Sequence, residues 1–246
     1  MKNLIVANLN KNNPRWAKER LVSYIKAQVH NSIDLGWDPR DLILIVNFDD
    51  IFMGVNSINV SLNGFCFTGS KVFAVKWVMD NKITEDVIWA HDLDAWQNVE
   101  FECPDFAEVG ISQYSNRKFN GGSIFWKTSS KDILDEIVSA IIGDQSVKEE
   151  PTLNKILKQK KLRKRVTVLD RTYNVGCSGF AKRFDICEKP IRVCHFHPDR
   201  GTAWEIHGLG RCGQDRVSVS PRLERILRKY FNLAMELSDK GKRFKP

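Results

Sequence analysis

One short segment has the residue types and spacing for metal chemistry: Asp86-Val-Ile-Trp-Ala-His-Asp-Leu-Asp-Ala-Trp96. An apolar run, Val87-Ile88-Trp89-Ala90, leads directly into Asp92-Leu93-Asp94. Carboxylates at i and i+2 share one side of an extended chain, so the pair can hold one hard divalent cation. Mg²⁺ or Mn²⁺ prefers oxygen ligands and commonly links protein carboxylates to phosphate. Such an ion would bring a nucleotide diphosphate to the site and neutralise charge on a departing diphosphate. An Asp-x-Asp in a surface loop is commonplace. Its place at the end of an apolar strand favours the metal, because two unpaired carboxylates there need a cation or water.

The flanking elements must place that pair at the rim of a sheet. Leu4-Ile-Val-Ala-Asn-Leu9 and Asp41-Leu-Ile-Leu-Ile-Val-Asn47 read as buried parallel strands. Between them, Asn12-Asn13-Pro14 signals a helix start, and Trp16, Leu21, Ile25, Val29 and Ile33 recur at helical spacing until Gly36. Strand, helix, strand is a βαβ unit, and ligands of open parallel sheets bind beyond the carboxyl ends of strands. Residues 49–69 read as irregular, with a helix over Lys71–Asn81 and a strand over Asp86–His91. Further strands are expected at Val109–Ser112, Ser123–Lys127, Val166–Leu169 and Ile191–Cys194, with helices at Ser129–Ile142, Pro151–Leu162 and Pro221–Leu237. The expected class is α/β: one Rossmann-like, mostly parallel domain over 1–205, then a basic helical C-terminal extension over 206–246.

Composition narrows the function. With 42% hydrophobic residues the chain can bury a core, and its length suits one sizeable domain. No apolar run approaches the ~20 residues that span a bilayer. The opening Met1–Val6 is too short and too soon polar for a signal peptide. Six cysteines without a CxxC pair argue for reduced thiols in the cytoplasm, with Cys177, Cys187 and Cys194 expected to be buried. The net charge of +8 is uneven: residues 1–150 carry 15 Lys/Arg against 21 Asp/Glu (−6), and 151–246 carry 23 against 9 (+14). The runs Lys158–Arg165 and Arg222–Lys245 read either as solvated helical faces or as a surface for a polyanion or anionic membrane.

Four motifs in order resemble those of GT-A type glycosyltransferases, in particular the glycogenin and bacterial lipooligosaccharide galactosyltransferase group. These are the helix from Lys71 leading to Asp92-Leu-Asp94, Phe119-Asn-Gly-Gly-Ser-Ile-Phe125, Asp144-Gln145, and Cys194-His195-Phe196 followed by Arg200-Gly201 and Trp204. The match spans roughly residues 1–205. It departs from the family in two places. Leu153-Asn154 comes much later after Asp144-Gln145 than the family's Leu-Asn, and Pro198, Asp199 and Arg200 stand where the family carries Gly and Lys.

The resemblance implies a set of roles. Asp94 binds the metal, and Asp92 binds metal or ribose. His195 is the third ligand with His197 in reserve, while His91 is structural. Arg200 holds the diphosphate. Gly121 and Gly122 let the backbone approach the sugar, and Asn120 bonds a sugar hydroxyl. Asp144 binds a sugar hydroxyl or serves as base; its alternative is a helix cap. Gln145 lies on the β-face of the sugar. Asn8 and Leu9 touch the base, and Lys71 reaches ribose or phosphate. Trp204 reads as a sugar platform or as core. Tyr173-Asn-Val-Gly176 resembles a late family loop of open role.

The implied activity is transfer of a sugar from a nucleotide-diphosphate sugar, UDP-sugar favoured, to an acceptor hydroxyl with Mn²⁺ or Mg²⁺. Retaining and inverting outcomes both stand. The basic C-terminal part suggests an anionic acceptor, either DNA with hydroxymethylated bases or a membrane glycolipid. The protein would be cytoplasmic or peripheral at the inner membrane surface. Two rivals remain: a nucleotidyltransferase using two metals, with Glu100 or Glu102 as a third acid, and a non-catalytic nucleic-acid-binding module.

Overall fold

The computed structural model describes residues 1–9, 17–48, 51–62, 69–113, 118–143, 148–176, 187–196 and 219–231. The expected strands open the fold: β1 (Lys2–Ala7) and β2 (Leu42–Val46), joined through α1 (Lys18–Asp34). Strands β3 (Ile51–Phe52) and β4 (Val55–Asn59) follow, then α2 (Ser70–Asp80), β5 (Ile88–His91) and β6 (Ala95–Gln97). Next come β7 (Val109–Gln113), β8 (Phe119–Trp126), α3 (Lys131–Gly143) and α4 (Glu149–Leu157). The chain closes with β9 (Val166–Leu169), β10 (Val175–Gly176), β11 (Val193–His195) and α5 (Pro221–Phe231).

Eight strands form one sheet in the order β3-β4-β2-β1-β5-β8-β7-β9. The pairs β4–β2, β2–β1, β1–β5 and β7–β9 are parallel, and β8 runs antiparallel between β5 and β7. The continuous apolar runs of β1 and β2 are explained by burial on both faces. Leu4, Val6, Ile43 and Ile45 pack toward α2, α3 and α4, while the alternating Ile5, Ala7, Leu44 and Val46 pack toward α1 and α5. β10, β11 and β6 make a second, three-stranded sheet.

Three features differ from the expectation. The stretch read as irregular contains the β3–β4 hairpin, whose turn places Met53 and Gly54 at positive φ. β8 begins at Phe119, because Gly121 and Gly122 extend the strand rather than turn the chain. The helix expected to start at Pro151 starts at Glu149 and ends at Leu157, with a separate 3-10 turn over Lys160–Leu162.

α5 lies within the main body of the protein. Its Leu223, Ile226 and Leu227 are buried in the same cluster as α1, and Phe231 meets the Tyr24 ring edge-on at 4.8 Å. Arg222 donates from Nη1 to Asn31 Oδ1 at 2.8 Å. The expected boundary at 205/206 lies outside the described residues. No helix among the described residues is long and apolar enough to cross a membrane.

Candidate metal and donor site

β5 delivers its carboxylates to the rim of the main sheet, at the carboxyl end where ligands of such sheets bind. The local chain is a turn, whereas the sequence suggested extended backbone. The Ala95 N–H donates to the Asp92 carbonyl at 2.9 Å, and the chain reverses into β6. Three other elements hold this turn. The Asp92 N–H donates to the Gly122 carbonyl of β8 at 2.9 Å. Gln28 of α1 donates to the carbonyls of Leu93 and Ala95 at 2.8 and 3.0 Å. The Phe196 N–H donates to the Asp94 carbonyl at 2.8 Å, which docks the end of β11.

That docking brings His195 onto the pair. Its Nε2 lies 3.2 Å from Asp94 Oδ1 and 3.7 Å from Asp92 Oδ2. One donor atom from each of the three residues falls within 4.8 Å of the others. Ligands at about 2.1 Å from a small divalent ion stand about 3–4 Å apart, so small side-chain rotations let one ion reach all three. Two carboxylates and a neutral imidazole are a suitable donor set for Mn²⁺ or Mg²⁺. His91 is occupied elsewhere, with Nε2 2.9 Å from Asn3 Oδ1 and Nδ1 3.0 Å from the Asp92 carbonyl. Burial pushes its pKa down to about 4, which keeps the ring neutral.

Lys71 forms a second buried cluster beside the first. From the first turn of α2 its ammonium donates to Asp92 Oδ1 at 2.6 Å and to the Gly121 carbonyl, and it lies 3.1 Å from Glu149 Oε1. Burial disfavours its charge, but Asp92 and Glu149 outweigh burial and raise its pKa above the ordinary lysine value. Burial is the largest influence on Glu149 and lifts its pKa to about 7; Lys71 opposes the rise and Asp92 adds to it. Asp92 therefore offers one oxygen to Lys71 and turns the other toward His195.

Glu149 was missed by sequence reasoning, which placed the acid of this region at Asp144. A signal was available: Glu149-Glu150 precedes Leu153-Asn154 by four residues, the short interval that Asp144-Gln145 lacks. Leu153 and Asn154 anchor the segment. A Cβ on Gly121 would stand 3.2 Å from Leu153 Cδ1, and Asn154 exchanges bonds of 2.8 and 3.0 Å with the Phe119 backbone. Asp144, Gln145, His197, Arg200, Trp204 and Cys177 lie outside the described residues.

The other expected residues fall at the same end of the sheet. Asn8, just past β1, donates to Ser70 Oγ at 2.7 Å and accepts from Asn47 at 3.0 Å. The half-buried Leu9 follows, its N–H donating to Asn47 Oδ1 at 2.6 Å. Asn120 is buried, and its amide bonds within the protein to the Asn174 carbonyl at 3.3 Å and the Gly122 N–H at 3.1 Å. Glu100 and Glu102 are exposed after β6 and do not join the acidic pair. Cys187 and Cys194 are buried thiols, as expected.

No family model matches the chain, and no curated protein matches it. Solved structures do. The galactosyltransferase LgtC, determined with donor and acceptor sugar analogs, aligns over 98% of this chain and 100% of its own, with TM-score 0.55 and 11% identity. The glycosyltransferase GlyE of Streptococcus pneumoniae TIGR4 aligns over 97% of this chain and 63% of its own, with TM-score 0.56 and 16% identity. A glycosyltransferase involved in glycosylation of the major capsid of PBCV-1 aligns over 79% of this chain and 93% of its own, with TM-score 0.51 and 11% identity. The chain has the GT-A fold of these enzymes.

Proposed function

We propose that the protein is a metal-dependent glycosyltransferase that moves a sugar from a nucleotide-diphosphate sugar, UDP-sugar favoured, to an acceptor hydroxyl. The observation that carries this reading is the meeting of Asp92, Asp94 and His195 at the rim of the central sheet of a GT-A fold. When bound, Mn²⁺ or Mg²⁺ would neutralise charge on the departing diphosphate.

The chain's own residues do the rest. Asp94 and His195 hold the ion from a buried floor, and Asp92 joins them while Lys71 fixes its second oxygen. Lys71 also places positive charge beside the diphosphate position. Glu149 keeps that lysine in place and lies next to Gly121, where the donor sugar would approach the backbone. Asn8 and Leu9 line the position of the base. Gly121 and Gly122 line that of the sugar, while Asn120 is buried with its amide bonded within the protein; for Asp144, Gln145 and Arg200 the proposed roles stay those that the resemblance implies.

Nucleotidyl transfer is less well supported. The third acid near the pair, Glu149, is engaged by Lys71 and not directed to a second ion. The acceptor is proposed to be anionic, and of DNA with hydroxymethylated bases and a membrane glycolipid, DNA is the one put forward. A membrane would be met by the aromatic pair of α5, Tyr230 and Phe231. Both pack against the core, Phe231 on Tyr24 and Trp96 and Tyr230 edge-on to His30. In the other basic run, Lys161 pairs with Glu136 and Arg165 with Glu108 and Asp132, while Lys158, Lys160, Arg163 and Lys164 are exposed. A target base would have to leave the stack to reach the site. A cytoplasmic location fits this reading.

The test is incubation of the protein with Mn²⁺ and a panel of UDP-, GDP- and dTDP-sugars. Release of free nucleoside diphosphate, with a rise in Tm on adding metal and donor together, is expected. In a parallel incubation with nucleoside triphosphates and a sugar 1-phosphate, release of pyrophosphate would assign nucleotidyl transfer, and no turnover in either mix with metal-independent DNA binding would assign a binding module. Gel shift with duplex DNA beside liposome sedimentation, each over a salt series, separates the two acceptors.

A further inference from the structure

We propose that Gly122 and Gly176 form a slot that sets the direction of the His195 imidazole, and that the Asn120–Asn174 pair holds the two walls of that slot together. This rests on the metal-site reading and assigns a positioning role to residues that do not touch the ion.

His195 lies between two glycines from strands of different sheets. A Cβ built on Gly122 of β8 would stand 2.3 Å from His195 Nδ1 and 2.5 Å from Cε1. A Cβ built on Gly176 of β10 would stand 2.2 Å from His195 Cβ, 2.8 Å from its carbonyl oxygen and 2.9 Å from Cγ. Neither glycine has a left-handed φ, so space rather than backbone conformation requires glycine here. One wall blocks the Nδ1 edge of the ring and the other blocks its root. The ring is left with its Nε2 corner facing Asp94 and Asp92.

Walls that could part would not fix a ring. Gly176 is in register with His195 through the parallel β10–β11 pairing, which holds the root wall. Asn120 and Asn174 tie that strand to β8. Asn120 Nδ2 donates to the Asn174 carbonyl at 3.3 Å, and Asn174 Nδ2 donates to the Asn120 carbonyl at 3.2 Å. Asn120 Oδ1 also accepts from the Gly122 N–H at 3.1 Å, so one buried amide holds both the joint and the wall. This gives a function to the Tyr173–Gly176 segment and a second one to Gly122, beyond approach of the backbone to a sugar.

The test measures Mn²⁺ affinity by electron paramagnetic resonance and metal-free Tm for wild type, Gly122→Ala, His195→Ala and the double variant. Gly122→Ala is expected to weaken Mn²⁺ binding about 10–100-fold, the range for residues that orient a ligand from behind it. In the His195→Ala background the same substitution should change Mn²⁺ affinity and Tm much less than in wild type, because the two nearest atoms it strikes are gone and only Asn174 Nδ2, 3.2 Å from the added Cβ, remains. Asn174→Ala supplies a second route and should lower Mn²⁺ affinity while the far-ultraviolet circular dichroism is unchanged. Equal Mn²⁺ affinity in wild type and Gly122→Ala overturns the slot and leaves the metal site standing. So does an equal loss of Tm from Gly122→Ala in both backgrounds. A wild-type protein that binds no Mn²⁺ overturns the metal reading and the slot together.

Discussion

The protein carries charge clusters at opposite ends of the same sheet, and they are built differently. At the carboxyl end of β5, Lys71, Glu149, Asp94 and His195 are buried around Asp92. At the other end, where β9 begins opposite Val109 and Trp126, Arg165 forks between Glu108 at 2.7 Å and Asp132 at 2.6 Å in a setting open to water. The exposed cluster holds every group at its ordinary charge, with Glu108 and Asp132 lowered chiefly by hydrogen bonds from Arg165. In the buried cluster, desolvation and charge pairing oppose one another, and Glu149 titrates near neutrality. Ion pairs of similar length therefore sit in different settings: one end surrounds the candidate ion site, and the other ties β9 and α3 together.

The sharpest way to break that contrast is to remove a ligand from the buried end. Asp94→Ala should abolish measurable Mn²⁺ binding and reduce donor turnover by about 10²-fold or more, read by resonance titration and nucleoside diphosphate release. Next comes the strut. Lys71→Met leaves Glu149 buried without its cation and should destabilise the protein by about 3 kcal/mol in urea unfolding, whereas Lys71→Met with Glu149→Leu should recover more than half of the loss.

The two ends should also respond oppositely to pH. The folded-state pKa of Glu149 lies above its unfolded value of 4.5, so its contribution is fully present below about 4.5. That contribution fades as pH rises to about 7, where the folded group ionises. Glu108 and Asp132 are lowered, so their contribution is present above the ordinary carboxylate range and is lost as pH falls through their folded values. Glu149→Gln should therefore remove a downward slope in stability between about pH 4.5 and 7, measured as urea midpoints against wild type. The smallest effect belongs to Arg165→Gln. At a solvent-screened network it should amount to about 0–1 kcal/mol and shrink in high salt.

The same contrast explains what the sequence made legible. β1, β2, β5 and the helices between them announce themselves, because burial on both faces needs continuous apolar runs and a one-sided helix needs a 3.6-residue period. Asp92 and Asp94 were readable because they end such a run, and Lys71 because it opens the helix before it. Of the small sheet only β11 was readable, as the strand expected at Ile191–Cys194; β6 and β10 are three and two residues long and have no period to detect. Glu149 was hidden by a nearer acid, and the collision between Gly122 and His195 arises only once two sheets meet. The hairpin at Ile51–Asn59 escaped because Met53-Gly54 is not one of the usual turn pairs.

The closing of β6 against the end of β11 has a consequence for biosynthesis. Trp96 donates its indole N–H to the Phe196 carbonyl, a partner 100 positions later, and Asn98 accepts from Ser220 further still. A nascent chain that has emerged only through its aspartates has the parallel strands but lacks the seam that aligns them. Assembly of the proposed ion site must therefore wait for translation of His195, and a ribosome stalled before it would display a chain that still lacks the part of the core supplied by β11 and α5.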